Sequence, residues 1–235
     1  MDFLARTLQV VQPALECLLI ILLLNRSLFR KYLMVFLFCV LLLVTSLAEV
    51  LVVQAPAYGT RSDTYRILYW TDEMVTDAFL FVMVAMMIYR ATEGTSLRKL
   101  AERLFSGVVT VALLLPFVVF DNWFSNRWFT RSSQLLNFGG AILNLLLWTA
   151  LLGMRRRDTQ LLTVSAGLGV IVTGSAVFYG LLATFRGDPE VRAMLNLGYV
   201  LSRSVGLAIW CWAFWRIRKA DPATLAAPPV LETPR

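Results

Sequence analysis

ILYWTDEMVTDAFLFVMVAMMIY, residues 67–89, is mostly apolar yet carries Asp72, Glu73 and Asp77 in its first half. As a helix it would measure about 34 Å at 1.5 Å per residue, enough to cross a bilayer. A carboxylate inside such a segment costs on the order of 2.5–3.5 kcal/mol, so each one demands a partner, a proton or a wet cavity. The length points to a membrane, and the acids show that something polar is kept inside it.

Working outward, six further apolar segments can be counted, at 7–24, 32–53, 104–120, 133–154, 161–185 and 193–215. The whole chain is 58% hydrophobic and 16% charged, against about 45–50% and about 25% for a soluble domain. These figures predict an all-α polytopic membrane protein, a bundle of seven transmembrane helices over residues 1–219. The first segment lacks a basic flank and a small-residue cleavage site, so it is expected to stay as a span. The stretch ADPATLAAPPVLETPR, 220–235, is rich in Pro and Ala and is expected to be a disordered cytoplasmic tail.

The connections alternate in charge. One side collects Arg26, Arg30, Lys31, Arg90, Arg98, Lys99, Arg103, Arg155, Arg156, Arg157, Arg216, Arg218 and Lys219, thirteen in all. The other side collects seven: Arg6, Arg61, Arg66, Arg127, Arg131, Arg186 and Arg192. By the positive-inside rule the N-terminus lies outside and the C-terminus in the cytoplasm. A bacterial cytoplasmic (inner) membrane suits these loops, with the lipid bilayer itself as first partner.

Several function classes drop out. The net charge of +7 falls where membrane topology wants it, so no nucleic-acid partner is expected. Histidine is absent, which removes bis-His haem, the usual zinc sites and histidine acid–base chemistry. Cys17, Cys39 and Cys211 sit singly in apolar segments and read as fillers. No cofactor or metal is expected, and no enzyme activity. Magnesium held by Glu73 and Asp77 would want a denser acidic motif.

Other features read as structural. Trp123, Phe124, Trp128 and Phe129, and again Trp210, Trp212 and Trp215, suit interfacial belts. Gly169, Thr173, Ala176 and Gly180 form a small-residue face for helix packing. Superposing Arg90 on Arg216 sets Asp77 on Arg203, a faint 3+1+3 repeat of a kind used by some transporters.

The polar residues carry the functional expectation. Counted from the outer ends, Asp77 and Arg203 lie roughly 15 Å deep and Glu16 roughly 14 Å, near the midplane. Glu73 and Glu49 lie higher, at about 9 Å and 7 Å. The inner halves hold no charged side chain. Glu73 and Asp77 share a face with Tyr69 and Trp70, and Asn196, Tyr199 and Arg203 form a stripe. Gln9, Gln12 and Glu16 form another, as do Thr45, Ser46 and Glu49. Asp72, about 100° from Glu73, is expected to reach only the headgroups.

The seventh segment runs YVLSRSVGLAIWCWAFWRIR over 199–218. Seven helices in this orientation resemble microbial rhodopsins in topology, which would put a retinal-binding lysine at position 203. Arginine stands there, the three lysines all lie between or after the apolar segments, and no Schiff base can form. The likeness ends at topology.

The expectation is therefore a receptor-like, sensory binding protein that acts through a membrane or cytoplasmic partner. Its small ligand would enter from the outer side, into a pocket lined by Glu16, Glu49, Glu73, Asp77, Asn196, Tyr199 and Arg203. The alternatives are an accessory subunit, in which Arg203 merely pairs with Asp77 or Glu16, and a small-solute or proton-coupled transporter.

Overall fold

The computed structural model describes residues 2–54, 63–92, 98–119, 125–153, 159–185 and 188–216. It holds seven helices and, among the described residues, no strand: α1 (Asp2–Asn25), α2 (Leu33–Gln54), α3 (Asp63–Ala91), α4 (Arg98–Val119), α5 (Asn126–Gly153), α6 (Thr159–Thr184) and α7 (Pro189–Arg216). α2 shows why: LMVFLFCVLLLVTSLAEVLVVQ is apolar almost all round, and a backbone in apolar surroundings must bond to itself. Side chains start the later helices. Ser125 Oγ accepts from Trp128 N at 3.2 Å to cap α5. Asp188 Oδ1 accepts from Glu190 N at 2.9 Å to cap α7, with Pro189 in the first turn.

Arg66–Ala91, Trp128–Leu152, Thr159–Leu182 and Pro189–Arg216 are four stretches long and apolar enough to cross a membrane. Val10–Asn25 and Leu33–Ala48 are shorter apolar stretches. Val10, Leu51, Val118 and Leu145 stand largely exposed, an apolar exterior that water does not tolerate and a lipid bilayer does.

α1, α2, α3, α5, α6 and α7 close a ring in that order, with α7 returning to α1, and α4 lies outside it against α3 and α5. Successive helices alternate in direction. At one end Arg90 Nη1 donates to Lys31 O (2.7 Å), Lys31 Nζ to Gln160 Oε1 (3.2 Å), and Tyr32 meets Phe214 edge-on (5.1 Å). This basic end gathers Arg26, Arg30, Lys31, Arg90, Arg98, Lys99, Arg103 and Arg216. At the opposite, aromatic end Trp70 stacks on Phe129 with centroids 5.9 Å apart, and Phe117 packs on Trp128 at 5.2 Å. Arg155, Arg156, Arg157, Arg218, Lys219 and the tail 220–235 lie outside the described residues.

Large side chains pack closely toward the basic end. Phe38, Leu147, Leu168, Leu207, Trp210 and Phe214 are fully buried there. Trp210 Nε1 donates to Val164 O at 2.7 Å, over Gly167. A Cβ added at Gly206 would lie 2.7 Å from Gly167 O, and one at Gly167 would lie 2.9 Å from Gly206 O. α6 and α7 thus meet backbone to backbone.

Three local expectations change. The close backbone contact uses Gly167, whereas Gly169 and Gly180 meet Asn144 and Phe138 side chains of α5 and Thr173 is exposed. Trp210 is a core residue, because Trp212 and Trp215 (50% and 65% exposed) fall on the other side of the helix at 100° per residue. Trp128 is 2% exposed, because α5 starts at Asn126 and turns it against α4. Trp123 and Phe124 lie outside the described residues.

Candidate functional site

Of the charged residues read from the sequence, Glu16, Glu73, Asp77 and Arg203 come together. α3 turns Glu73, Thr76 and Asp77 inward, α1 brings Glu16, and α7 faces them with Tyr199 and Arg203. Glu16, Glu73 and Asp77 are all at most 5% exposed. Arg203 lies within electrostatic reach of Glu16, Asp72, Glu73 and Asp77. The helical periods set this up: Glu73 and Asp77 are one turn apart, as are Tyr199 and Arg203.

Hydrogen bonds hold part of each group. Tyr199 Oη donates to Glu73 Oε1 at 2.9 Å, joining α7 to α3 across the ring. The Arg203 guanidinium carbon sits 5.8 Å from the centre of the same tyrosine ring, and Tyr179 braces that ring edge-on at 5.4 Å. Gln12 Nε2 donates to Glu16 Oε1 at 3.1 Å. Ser133 Oγ donates to Asp77 Oδ2, and Asn137 Nδ2 donates to Ser133 O at 3.0 Å.

Other atoms are left over. Glu16 Oε2, Asp77 Oδ1, Arg203 Nε and Arg203 Nη2 are buried with no hydrogen bond of good geometry, although the Asn137 amide approaches Asp77. Among the described residues no ion pair within 4.0 Å joins Arg203 to a carboxylate; the ion pair there is Arg98–Glu102 at the surface. Each unsatisfied buried group costs about 1–3 kcal/mol, more when charged. A structural salt bridge would have used these atoms, so the cluster keeps open bonding capacity.

The remaining expected residues divide. Asn196 is exposed on α7, nearly one turn before Tyr199, and the side chain of Glu49 lies outside the described residues. Asp72 departs from its expected place at the headgroups: half-buried, it accepts from Thr76 Oγ1 at 3.4 Å and acts on Arg203. Ser133 and Asn137 are additions that the sequence reading missed, although their one-turn spacing on α5 is a usable signal. Beside the cluster α7 is half-buried at Tyr199, Ser202 and Arg203, with Gly198 close against Phe178 of α6.

Among the described residues no three acidic or cysteine side chains converge as metal ligands would. An apolar groove of about 710 Å³ opens elsewhere, between α5, α6 and α7 toward the basic end, with Trp148 and Trp212 on its walls and no charged lining. Compared with protein-family models, curated proteins and solved structures, the chain matches none of them.

Proposed function

We propose that the chain crosses a bacterial cytoplasmic membrane seven times, with its N-terminus outside, as one domain over residues 1–219 with a short cytoplasmic tail. It is a receptor-like binding protein that takes a small ligand from the outer side into the Glu16–Glu73–Asp77–Arg203 cluster. The bound state is passed on through a membrane or cytoplasmic partner. The observation that carries this is the set of unpartnered buried atoms on Glu16, Asp77 and Arg203. Charges that merely fixed helix packing would be paired with one another. The gathering of basic residues at one end supports the orientation.

A small-solute transporter is the second reading. Asn137, Asn144 and Ser165 are buried along the way from the cluster toward the basic end, and Asn144 Oδ1 has no hydrogen-bond partner. Against it stands the dry packing around Trp210. Substrate-driven uptake into proteoliposomes would favour transport.

Thiol accessibility tests the first reading. Cys17, Cys39 and Cys211 are replaced by Ala, and Arg203→Cys is introduced. A small membrane-impermeant thiosulfonate applied to intact cells modifies the introduced thiol if a wet cavity opens outward. A Lys99→Cys control reacts only after the membrane is broken. An unreactive thiol at position 203 leaves a dry packing cluster, and the accessory-subunit alternative takes its place.

A further inference from the structure

The two unpartnered nitrogens of Arg203 are a particular pair. Nε and Nη2 lie on one edge of the guanidinium, and their parallel N–H bonds form the two-pronged donor that matches a carboxylate or another planar oxyanion. The Tyr199 ring, itself held by Glu73 and Tyr179, gives that plane a platform. Within electrostatic reach lie two carboxylate oxygens without partners, Glu16 Oε2 and Asp77 Oδ1, on α1 and α3. Both belong to side chains at most 2% exposed. The site thus offers an unbonded oxyanion fork and unbonded acceptors for a donor cation.

Counting unbonded atoms then discriminates between ligand classes. An oxyanion alone would fill the fork but leave the buried carboxyl oxygens unpaired. A cation alone would answer those oxygens but leave the fork unpaired, a costly loss in buried surroundings. A ligand carrying both groups satisfies both sets of atoms and adds no net charge. We infer that the cluster binds a small zwitterion of the amino-acid type, its carboxylate on the Arg203 Nε/Nη2 edge and its ammonium on Glu16 and Asp77. The assignment rests on the outward-open site proposed above. The same chemistry is available from free amino acids and from the serine headgroup of a phospholipid.

The test uses the full chain in phosphatidylcholine nanodiscs, with thermal unfolding as the readout. The probes are an equimolar mixture of the standard amino acids with uncharged side chains, the matching decarboxylated amines, and the matching deaminated acids. A separate arm replaces part of the lipid with phosphatidylserine. At about ten times Kd a ligand raises Tm by roughly 3–5 °C for a chain of this size. The amino-acid mixture, or phosphatidylserine over phosphatidylcholine, is expected to give that rise, and the arm that gives it identifies the source. The amines and the acids are expected to give less than a third of it. Arg203→Lys keeps the charge and loses the fork, so it should abolish the rise measured from that variant's own resting Tm. Equal shifts from amines or from acids overturn the assignment, as does a rise that survives Arg203→Lys. No rise in either zwitterion arm also overturns it, even where the Arg203→Cys thiol is modified from outside and the open site itself stands.

Discussion

The two ends of the ring are built on opposite principles. Toward the basic end, Trp210 fills the seam between α6 and α7, its one polar atom bonded to Val164 O, and the helices touch at Gly167 and Gly206. Toward the aromatic end, Arg203 of α7 and the acids opposite it keep buried nitrogens and oxygens without partners. One half is held by backbone contact and a bonded indole. The other leaves bonding capacity unused. The difference suggests a division in which the basic half holds the bundle together and the other half is free to be unstable in the ways a ligand can relieve.

Under that division, substitutions in the two halves should separate clearly in unfolding titrations of the purified chain. Trp210→Ala should show the largest effect, a loss of about 3–5 kcal/mol, since it removes a fully buried indole and leaves a cavity. Gly206→Ala should come next, at about 1–3 kcal/mol, because the new methyl meets Gly167 O and neither backbone can retreat far. Asp77→Asn should leave stability unchanged or raise it by up to about 1 kcal/mol, as a buried carboxyl with an unbonded oxygen is replaced by a neutral amide. A loss above about 3 kcal/mol there would break the comparison, for it would mean that Asp77 belongs to a structural pair. Ser27→Gly should give the smallest change. Ser27 sits at φ 54° in the turn after α1, and glycine relieves roughly 0.5–1 kcal/mol of that left-handed strain, read as a small rise in Tm.

The helices are legible in the sequence, since a long apolar run has few other solutions in an apolar medium. Depth counting along three separate segments also places Glu16, Asp77 and Arg203 at one level, which requires only a fixed rise per residue and alternating direction. What is not legible is lateral. Nothing in the length or hydropathy of α4 says that α3 packs directly on α5 and leaves it outside the ring. Trp210 and Trp212 look alike in a composition count and differ only by rotation. Ser133 stands at the very start of an apolar segment, where a hydroxyl is usually a boundary marker rather than a donor to Asp77. Asp72 escapes the expectation because electrostatic reach does not stop at the edge of a helical face.

The contact between α1 and α7 has a consequence in time. A chain under synthesis presents Glu16 with α1, while Arg203 and Tyr199 emerge only with α7. Until then the ring cannot close, and the acids on α1 and α3 must wait for their arginine with protons or water as companions. Every intermediate length of the growing chain is therefore a different electrostatic object from the finished one, more acidic inside and open along one flank. Whatever quality-control machinery surveys such intermediates would have a ready signal in that open flank, and closure by α7 would be the moment at which it disappears.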